Sequence, residues 1–549
     1  MFLNNIYLKT LRSFRVAIFG WGLGTGLMLY VVLLAVPSVI TTAAAKADLI
    51  TLAKSFAWLA EPIDVATPGG YTTFKYGFLI LVMALWPLLT GSRILRGEEE
   101  RGLMDALLST PHSRTSAALQ KIAAMWTALL SMAVLIGVIA FAGGQQANAG
   151  ISLGNALMFG INLAIICGIF GGISLLVSQF TLDQRSASGI TGGFLLVFIV
   201  LDMAHRINPN WELVSRFSPI YYYNLSKALI PSYGVNYGAI VVQLILCVLL
   251  YTAAVALFIR RDIGQTTPLP MWLRRPQKQQ TIEQALPAQN WSLQSVFARS
   301  IANTIRPGLW WTLGIAGFFA WMVVVVKQTE NSLNALYAGS PTLVTLLQKV
   351  GGSNPAVSTA LLSTFFVFLP ILLMTFTVTQ ASAWAADEEN GRQELLLATP
   401  KTRLTIFFAR FGALTVALIF ISLVTLAGIA ITAQITGLQL NSGNLTAATL
   451  SVIPQGLFIG ALGYLFSGWL KTSIDTGLLS FLLLLWFFIT FVGPELNWPD
   501  ATLHFSALYY YGTPLANGLP VGSLLEILAA SLVCFAAAAY RYTRKDIAR

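Results

Sequence analysis

Apolar and polar positions fall in long blocks along this chain, with runs of roughly 20 apolar residues separated by shorter polar stretches. A run of that length crosses the ~30 Å hydrocarbon core as a helix whose backbone hydrogen bonds are all internal. Twelve spans are expected, at about 16–40, 74–91, 118–141, 154–178, 188–206, 237–259, 308–326, 357–383, 405–433, 448–470, 476–492 and 521–540. A different pattern precedes the first. Leu3, Ile6, Tyr7 and Leu11 recur at helical spacing, with Lys9, Arg12 and Arg15 mostly off the stripe, which predicts an amphipathic helix over about Leu3–Phe14. Leu293, Val296, Phe297 and Ile301 repeat the stripe over about Leu293–Thr304, with Arg299 where Lys9 stands.

Composition agrees with a membrane protein. Of 549 residues 56% are hydrophobic and 10% charged, against about 25% charged in soluble domains. Lys and Arg beside spans stay on the cytoplasmic side. Lys9, Arg12 and Arg15, then Arg93, Arg96, Arg101, Arg114 and Lys121, fall on one side together with Arg260 and Arg261. Arg392, Lys401, Arg403, Arg410, Arg541, Arg544 and Lys545 join them if both termini are cytoplasmic. The net charge of +11 is then an anchoring pattern against anionic lipid, and no nucleic-acid partner is expected. Thr41–Ala47 has the small residues of a signal-peptidase site, but the preceding apolar run is too long for a signal peptide and reads as an uncleaved first span. Cys167, Cys247 and Cys534 all fall inside spans, and His112, His205 and His504 lie far apart, so neither a disulfide framework nor a metal site is indicated.

Two polar stretches are near-copies. Glu98-Glu99-Glu100-Arg101-Gly102 leads through Leu107-Leu108 and Thr110-Pro111 to Arg114, and Asp387-Glu388-Glu389-Asn390-Gly391 leads through Leu396-Leu397 and Thr399-Pro400 to Arg403. The duplication extends over the whole chain. Trp21, Leu23 and Gly24 match Trp311, Leu313 and Gly314; Phe217-Ser218-Pro219-Ile220-Tyr221-Tyr222-Tyr223 matches Phe505-Ser506-Ala507-Leu508-Tyr509-Tyr510-Tyr511. Arg260-Arg261-Asp262-Ile263 matches Arg544-Lys545-Asp546-Ile547. The offset drifts only from 290 at Trp21 and Trp311 to 284 at Asp262 and Asp546. One six-span unit has been duplicated and fused, giving halves at 1–263 and 291–549 and a Pro- and Gln-rich cytoplasmic linker at 264–290. Because six is even, both copies insert the same way up and are related by an axis along the membrane normal. The fold class expected is therefore all-α and integral to the membrane, with twelve transmembrane helices in two parallel six-helix repeats.

The duplicated loop reads as a short helix. Acids at its start suit a helix N-terminus, Leu107-Leu108 and Leu396-Leu397 supply an apolar face, and Pro111 and Pro400 end it. Anionic headgroups would repel Glu98, Glu99 and Glu100, so basic protein side chains are the better partner. The bland alternative is a solvated helix start with an internal Arg96–Glu100 pair worth ~0.3 kcal/mol. A second copy argues against it, since unconstrained loops drift apart.

This constellation resembles the permease family of ABC-2-type exporters, in its fused twelve-span form, similar to actinobacterial permeases of antibiotic and drug efflux. The resemblance implies that the two loops are coupling helices. Their residues are Glu98, Glu99, Glu100, Gly102, Leu107, Leu108, Pro111 and Arg114 in one copy. In the other they are Asp387, Glu388, Glu389, Gly391, Leu396, Leu397, Pro400 and Arg403. It also implies two copies of a separate ABC ATPase subunit, with ATP and Mg on those subunits and no cofactor on this chain, in a bacterial plasma membrane. No Gly-x-x-x-x-Gly-Lys-Ser/Thr phosphate loop occurs in the sequence, so this chain is not expected to be an enzyme.

By the same resemblance, the second and fifth spans of each half line the conduit. They offer Phe78, Met83, Trp86, Phe194, Phe198, Phe365, Phe368, Met374, Trp486, Phe487 and Phe491, which suit a hydrophobic or amphipathic substrate. Asp202, near His205 and Arg206, suggests an interfacial network, and Glu526 enters the last span without a sequence-near partner. A proton-coupled secondary transporter is the alternative. It would need ionisable groups near the mid-membrane, where few are expected, and would not need duplicated acidic loops. An intramembrane enzyme lacks its Ser/Lys, paired-Asp or His-Glu-x-x-His set.

Overall fold

The computed structural model describes residues 5–39, 42–58, 60–77, 80–267, 290–338, 357–389, 391–470, 472–493 and 498–544. Phe78, one of the expected conduit residues, lies outside them, as do most of the linker and Lys545.

Helices carry the whole architecture, and among the described residues eleven are long and apolar enough to cross a membrane. In the first half these are Arg15–Val39, Arg114–Gln146, Leu153–Val177, Gln184–Ile207 and Tyr237–Arg260. The expected second span is not one helix. It is broken into Pro68–Tyr76, Ile80–Met83 and Leu85–Ser92, followed by a π-turn over Arg93–Gly97, so none of its pieces has the length of a crossing. Its counterpart in the second half, Val357–Phe366 with Phe368–Glu389, is broken only at Val367. The seventh span also differs from expectation. Val296–Ala338 is continuous through Pro307, so the second amphipathic stretch merges with its span instead of lying as a separate helix. Only the first, Ile6–Ser13, is separate.

Polar residues set where the helices begin. Ser113 accepts from the Ser116 N–H at 3.1 Å, Asp183 from Ser186 at 2.7 Å and Asn236 from Ala239 at 3.0 Å. Each satisfies one of the free N–H groups that open a helix.

The duplication is visible in individual bonds. Ser92 and Ser188 share a hydroxyl hydrogen bond at 2.8 Å, and at the matching positions Ser382 and Thr476 share one at 2.7 Å. Ser218 donates to the Phe198 carbonyl at 2.7 Å, and Ser506 to the Trp486 carbonyl at 2.9 Å. Between the halves, the first span packs on the eleventh, Thr472–Val492, and the seventh packs reciprocally on the fifth. That exchange of equivalent surfaces is what a twofold relation produces. Small residues permit it: the Gly193 Cα lies 3.2 Å from where a Gly314 Cβ would stand, so the helices approach almost backbone to backbone.

At the end away from the repeated loops, aromatics join the halves. Trp58 meets Phe365 with ring centroids 5.0 Å apart, and Lys75 lies 4.6 Å over the Phe491 ring. Phe487 stacks on Phe491 at 5.0 Å and meets Phe368 at 6.1 Å.

Candidate coupling surface and the cavity between the halves

Both repeated loops have the same local construction. The chain turns at Gly102 with φ 66° and at Gly391 with φ 68°, in the left-handed region that glycine enters without steric cost. Short helices Leu103–Leu108 and Arg392–Leu397 follow. Thr110 donates to the Leu107 carbonyl, and Thr399 to that of Leu396, at 2.5 Å each. Pro111 and Pro400 then stand exposed before the next span.

The acidic runs do not open these helices. Glu98 and Glu99 continue the preceding helical segment, and Asp387, Glu388 and Glu389 end the eighth span. The left-handed glycine separates them from the short helix. The acids that do fall in its first turn are Asp105 and Glu394.

Each acid of the first copy has its own partner. Glu98 pairs with Lys121, and Asp387, at the matching position, pairs with Arg410 at 3.1 Å. This duplicated pair joins the end of one span to the start of the next. It is legible in the sequence as an equal spacing between acid and base in both copies, although Lys121 and Arg410 also fit the pattern of membrane-anchoring bases. Glu99 accepts from Arg96 at 2.9 Å, Arg261 at 2.8 Å and the Gly264 N–H at 3.2 Å. Burial acts first on Arg96 and lowers its pKa. The Arg96–Glu100 pair of the bland alternative does not form, and Arg96 pairs with Glu99 instead. Glu100 accepts from the Gln184 N–H at the start of the fifth span. Burial, with help from Asp183, pushes the Glu100 carboxyl up to about 7. Neither Lys9 nor Arg12 is the partner of Glu99 or Glu100; their helix rests on the third span, where Tyr7 bonds Gln120 at 3.2 Å and Thr127 at 3.0 Å. Glu388 is half-buried, and the Glu389 side chain lies outside the described set.

Arg114 and Arg403 point back into their own halves. Arg114 donates to the Arg261 carbonyl at 2.8 Å and Arg403 to that of Thr543 at 3.1 Å. Met104 and Leu107 face the protein, while Leu108, Leu396 and Leu397 are half-buried. The exposed side of the first short helix carries Gly102, Leu103, Asp105 and Ala106, and that of the second carries Arg392 and Glu394. The loops also touch one another, through Arg392 donating to the Glu100 carbonyl.

Beside that contact lies a cavity of about 740 Å³ between the halves, lined by Glu100, Arg185 and Asp183 from one and Arg299, Asp387 and Arg392 from the other. Among the described residues, none of the expected conduit aromatics lines it. Phe365, Phe368, Phe487 and Phe491 gather at the opposite end. Met83 and Trp86 turn into the first half, where Thr25 donates to the Met83 sulfur at 3.1 Å and Phe14 meets Trp86 at 5.5 Å. Phe194 stacks on Phe198, Trp486 on Phe458, and Met374 is fully buried.

Two polar features complete the picture. Asp202 accepts from Arg206 at 2.7 Å and Asn224 at 2.8 Å, the network its sequence neighbours suggest, while Glu526 is exposed. The second feature is Asp475. It is fully buried, neither carboxylate oxygen has a hydrogen bond, and the matching residue of the first half is Ala187.

Comparison with known families divides the chain in the same place as its repeat. Residues 4–263 match the ABC-2 family transporter protein model, and residues 293–542 match the C-terminal domain of the multidrug efflux system permease Rv1217c. Comparison with curated proteins gives no match. With both halves accounted for by permease models, this multi-pass chain belongs to the ABC-2 family of transporter permeases.

Proposed function

We propose that the chain is the membrane subunit of an ATP-driven exporter, driven by two copies of a separate ABC ATPase subunit, one beneath each half. The carrying observation is the pair of short helices on one face, each with the same left-handed glycine, threonine cap and exposed first-turn acid. A dimeric motor needs two equivalent handles. On this reading ATP and Mg reside on the motor, and the loop face is cytoplasmic in a bacterial plasma membrane, with both termini on that side. A cavity open near the loops and an aromatic seal at the far end fit a state that loads from the cytoplasm or inner leaflet. Closure of the motor drives export only if it favours the outward-open form. The cargo is a hydrophobic or amphipathic compound. Reconstitution with and without the ATPase tests this: hydrolysis by the chain alone, or transport that ignores ATP and follows a proton gradient, would overturn it.

Asp475 gives the proton-coupled alternative its one specific support, because a buried lone acid is what such a carrier requires. Asp475→Asn separates the two: ATP-driven efflux survives the change, whereas proton-coupled movement would stop.

A further inference from the structure

We propose that the cavity between the halves binds an amphiphilic organic anion, held by Arg185 from one half and Arg299 from the other. At about 740 Å³ it falls within the size range of small-molecule sites. Its acids are already engaged. The Asp183 carboxylate accepts from the Ser186 N–H at 2.7 Å and the Ser186 hydroxyl at 2.9 Å. Glu100 accepts from the Gln184 N–H, and Asp387 from Arg410 at 3.1 Å. The two arginines are not matched in this way. Arg185 donates at 3.3 Å to a neutral acceptor, the Gln380 amide oxygen, and Arg299 is exposed with no ion pair among the described residues.

A guanidinium carries five N–H donors in a planar fork that fits carboxylate, sulfonate or phosphate. Asp183, Glu100 and Asp387 act electrostatically on Arg185, so the site is not a bare positive pocket and an anion there competes with them. Glu100 opposes it least, because near neutral pH it is partly protonated. One stretch of wall is apolar, with Ala302, Ile305, Pro307 and Ala383 lining the cavity and Trp291 half exposed beside them, while Gln184, Ser188, Asn303 and Thr379 add neutral polar groups. Charged arms over an apolar wall select a molecule with an acidic head and a compact apolar body. An organic cation would have to break acid contacts already made inside each half.

An anion site here deepens the exporter reading by naming the cargo's chemistry, and it is tested without the motor, so its failure is separable from failure of ATP coupling. Radiolabelled cholate is titrated onto the purified chain in nanodiscs, with tetraphenylphosphonium as the matched cation and empty nanodiscs as the lipid baseline. Saturable cholate binding is expected, weaker at high salt, with Arg299→Gln reducing affinity roughly tenfold and Arg299→Lys recovering part of it. Arg185→Gln gives the same loss; if it does not fold, the exposed Arg299 pair of variants decides alone. Binding no greater than to empty nanodiscs, cholate affinity unchanged by Arg299→Gln, or preference for tetraphenylphosphonium would overturn the assignment.

Discussion

Arg261 grips the Glu99 carboxylate across 162 residues of sequence, its Nη1 donating to Oε2 at 2.8 Å. Arg96 donates to the same oxygen at 2.9 Å, and its remaining nitrogens reach the Ser178 and Gln265 carbonyls at 3.1 and 2.8 Å. All three side chains are buried. The triad fastens the start of the linker to the first repeated loop. The second half has Ala385 where Arg96 stands, so it lacks one arm of the arrangement.

That burial changes what charge reversal at Glu99 does. From sequence, replacing Glu99 by lysine is expected to spare the fold, because the residue lies outside the hydrocarbon. In the structure Glu99→Lys would gather three cations in one buried place. Removing one member of a buried pair costs about 3–5 kcal/mol, so the variant should melt well below wild type in nanodiscs. Adding Arg261→Glu should restore part of the loss. A wild-type melting curve for Glu99→Lys would show that the triad does not hold the loop.

Glu100 makes the first loop sensitive to pH. Its carboxyl is raised from 4.5 to about 7, chiefly by burial. A raised folded-state pKa means that stability is fully present below 4.5 and is lost as pH climbs through about 7. Thermal stability of wild type relative to Glu100→Gln should therefore fall between pH 5 and 8. Parallel pH profiles for the two proteins would contradict this.

Gly102 and Gly391 should tolerate alanine poorly for a backbone reason alone. A Cβ on Gly102 meets nothing within 4 Å, so its cost comes from φ +66°, about 1–2 kcal/mol for an ordinary residue. Gly102→Ala should speed hydrogen exchange in Leu103–Leu108 while leaving the spans protected, and Gly102→Asn should do so less. Equal exchange in wild type and the alanine variant would remove the argument.

Docking charge should be sought on Asp105 and Glu394, the exposed first-turn acids, instead of on the acids before them that are already paired within the chain. Asp105→Lys and Glu394→Lys should keep the melting temperature, since surface changes away from packing are usually within about 0.5 kcal/mol. Each should reduce co-purification of the ATPase and ATP-driven efflux, because like charges now oppose across the interface. If the apolar seat matters as well, Leu107→Asp and Leu396→Asp should weaken the same readouts, with Leu107→Asp also lowering stability because that side chain is buried. Undiminished partner binding in all four variants would remove the coupling role from these loops.

The chain's own residues determined eleven of the twelve expected spans, the duplication and the position of both loops, because each depends on local chemistry. Apolar length makes a crossing helix, a left-handed turn calls for Gly102 and Gly391, and a proline such as Pro111 or Pro400 ends what precedes it. These signals need no knowledge of neighbours. Which acid meets which base did depend on neighbours. Glu99 could be paired on paper with Lys9, Arg12 or Arg96, and only folding brought Arg261 to it from the far end of the half. The aromatics behaved likewise: one sequence class, Phe and Trp in spans two and five of each half, divides between a seal joining the halves at Phe365 and Phe491 and ordinary packing at Trp86 and Trp486. Hydrophobic burial is non-directional, so apolar sequence sets that a ring will be buried but leaves its place to the packing of whole helices. The cavity followed from the same packing, since it exists only where the fifth, seventh and eighth spans of two fused halves fail to close.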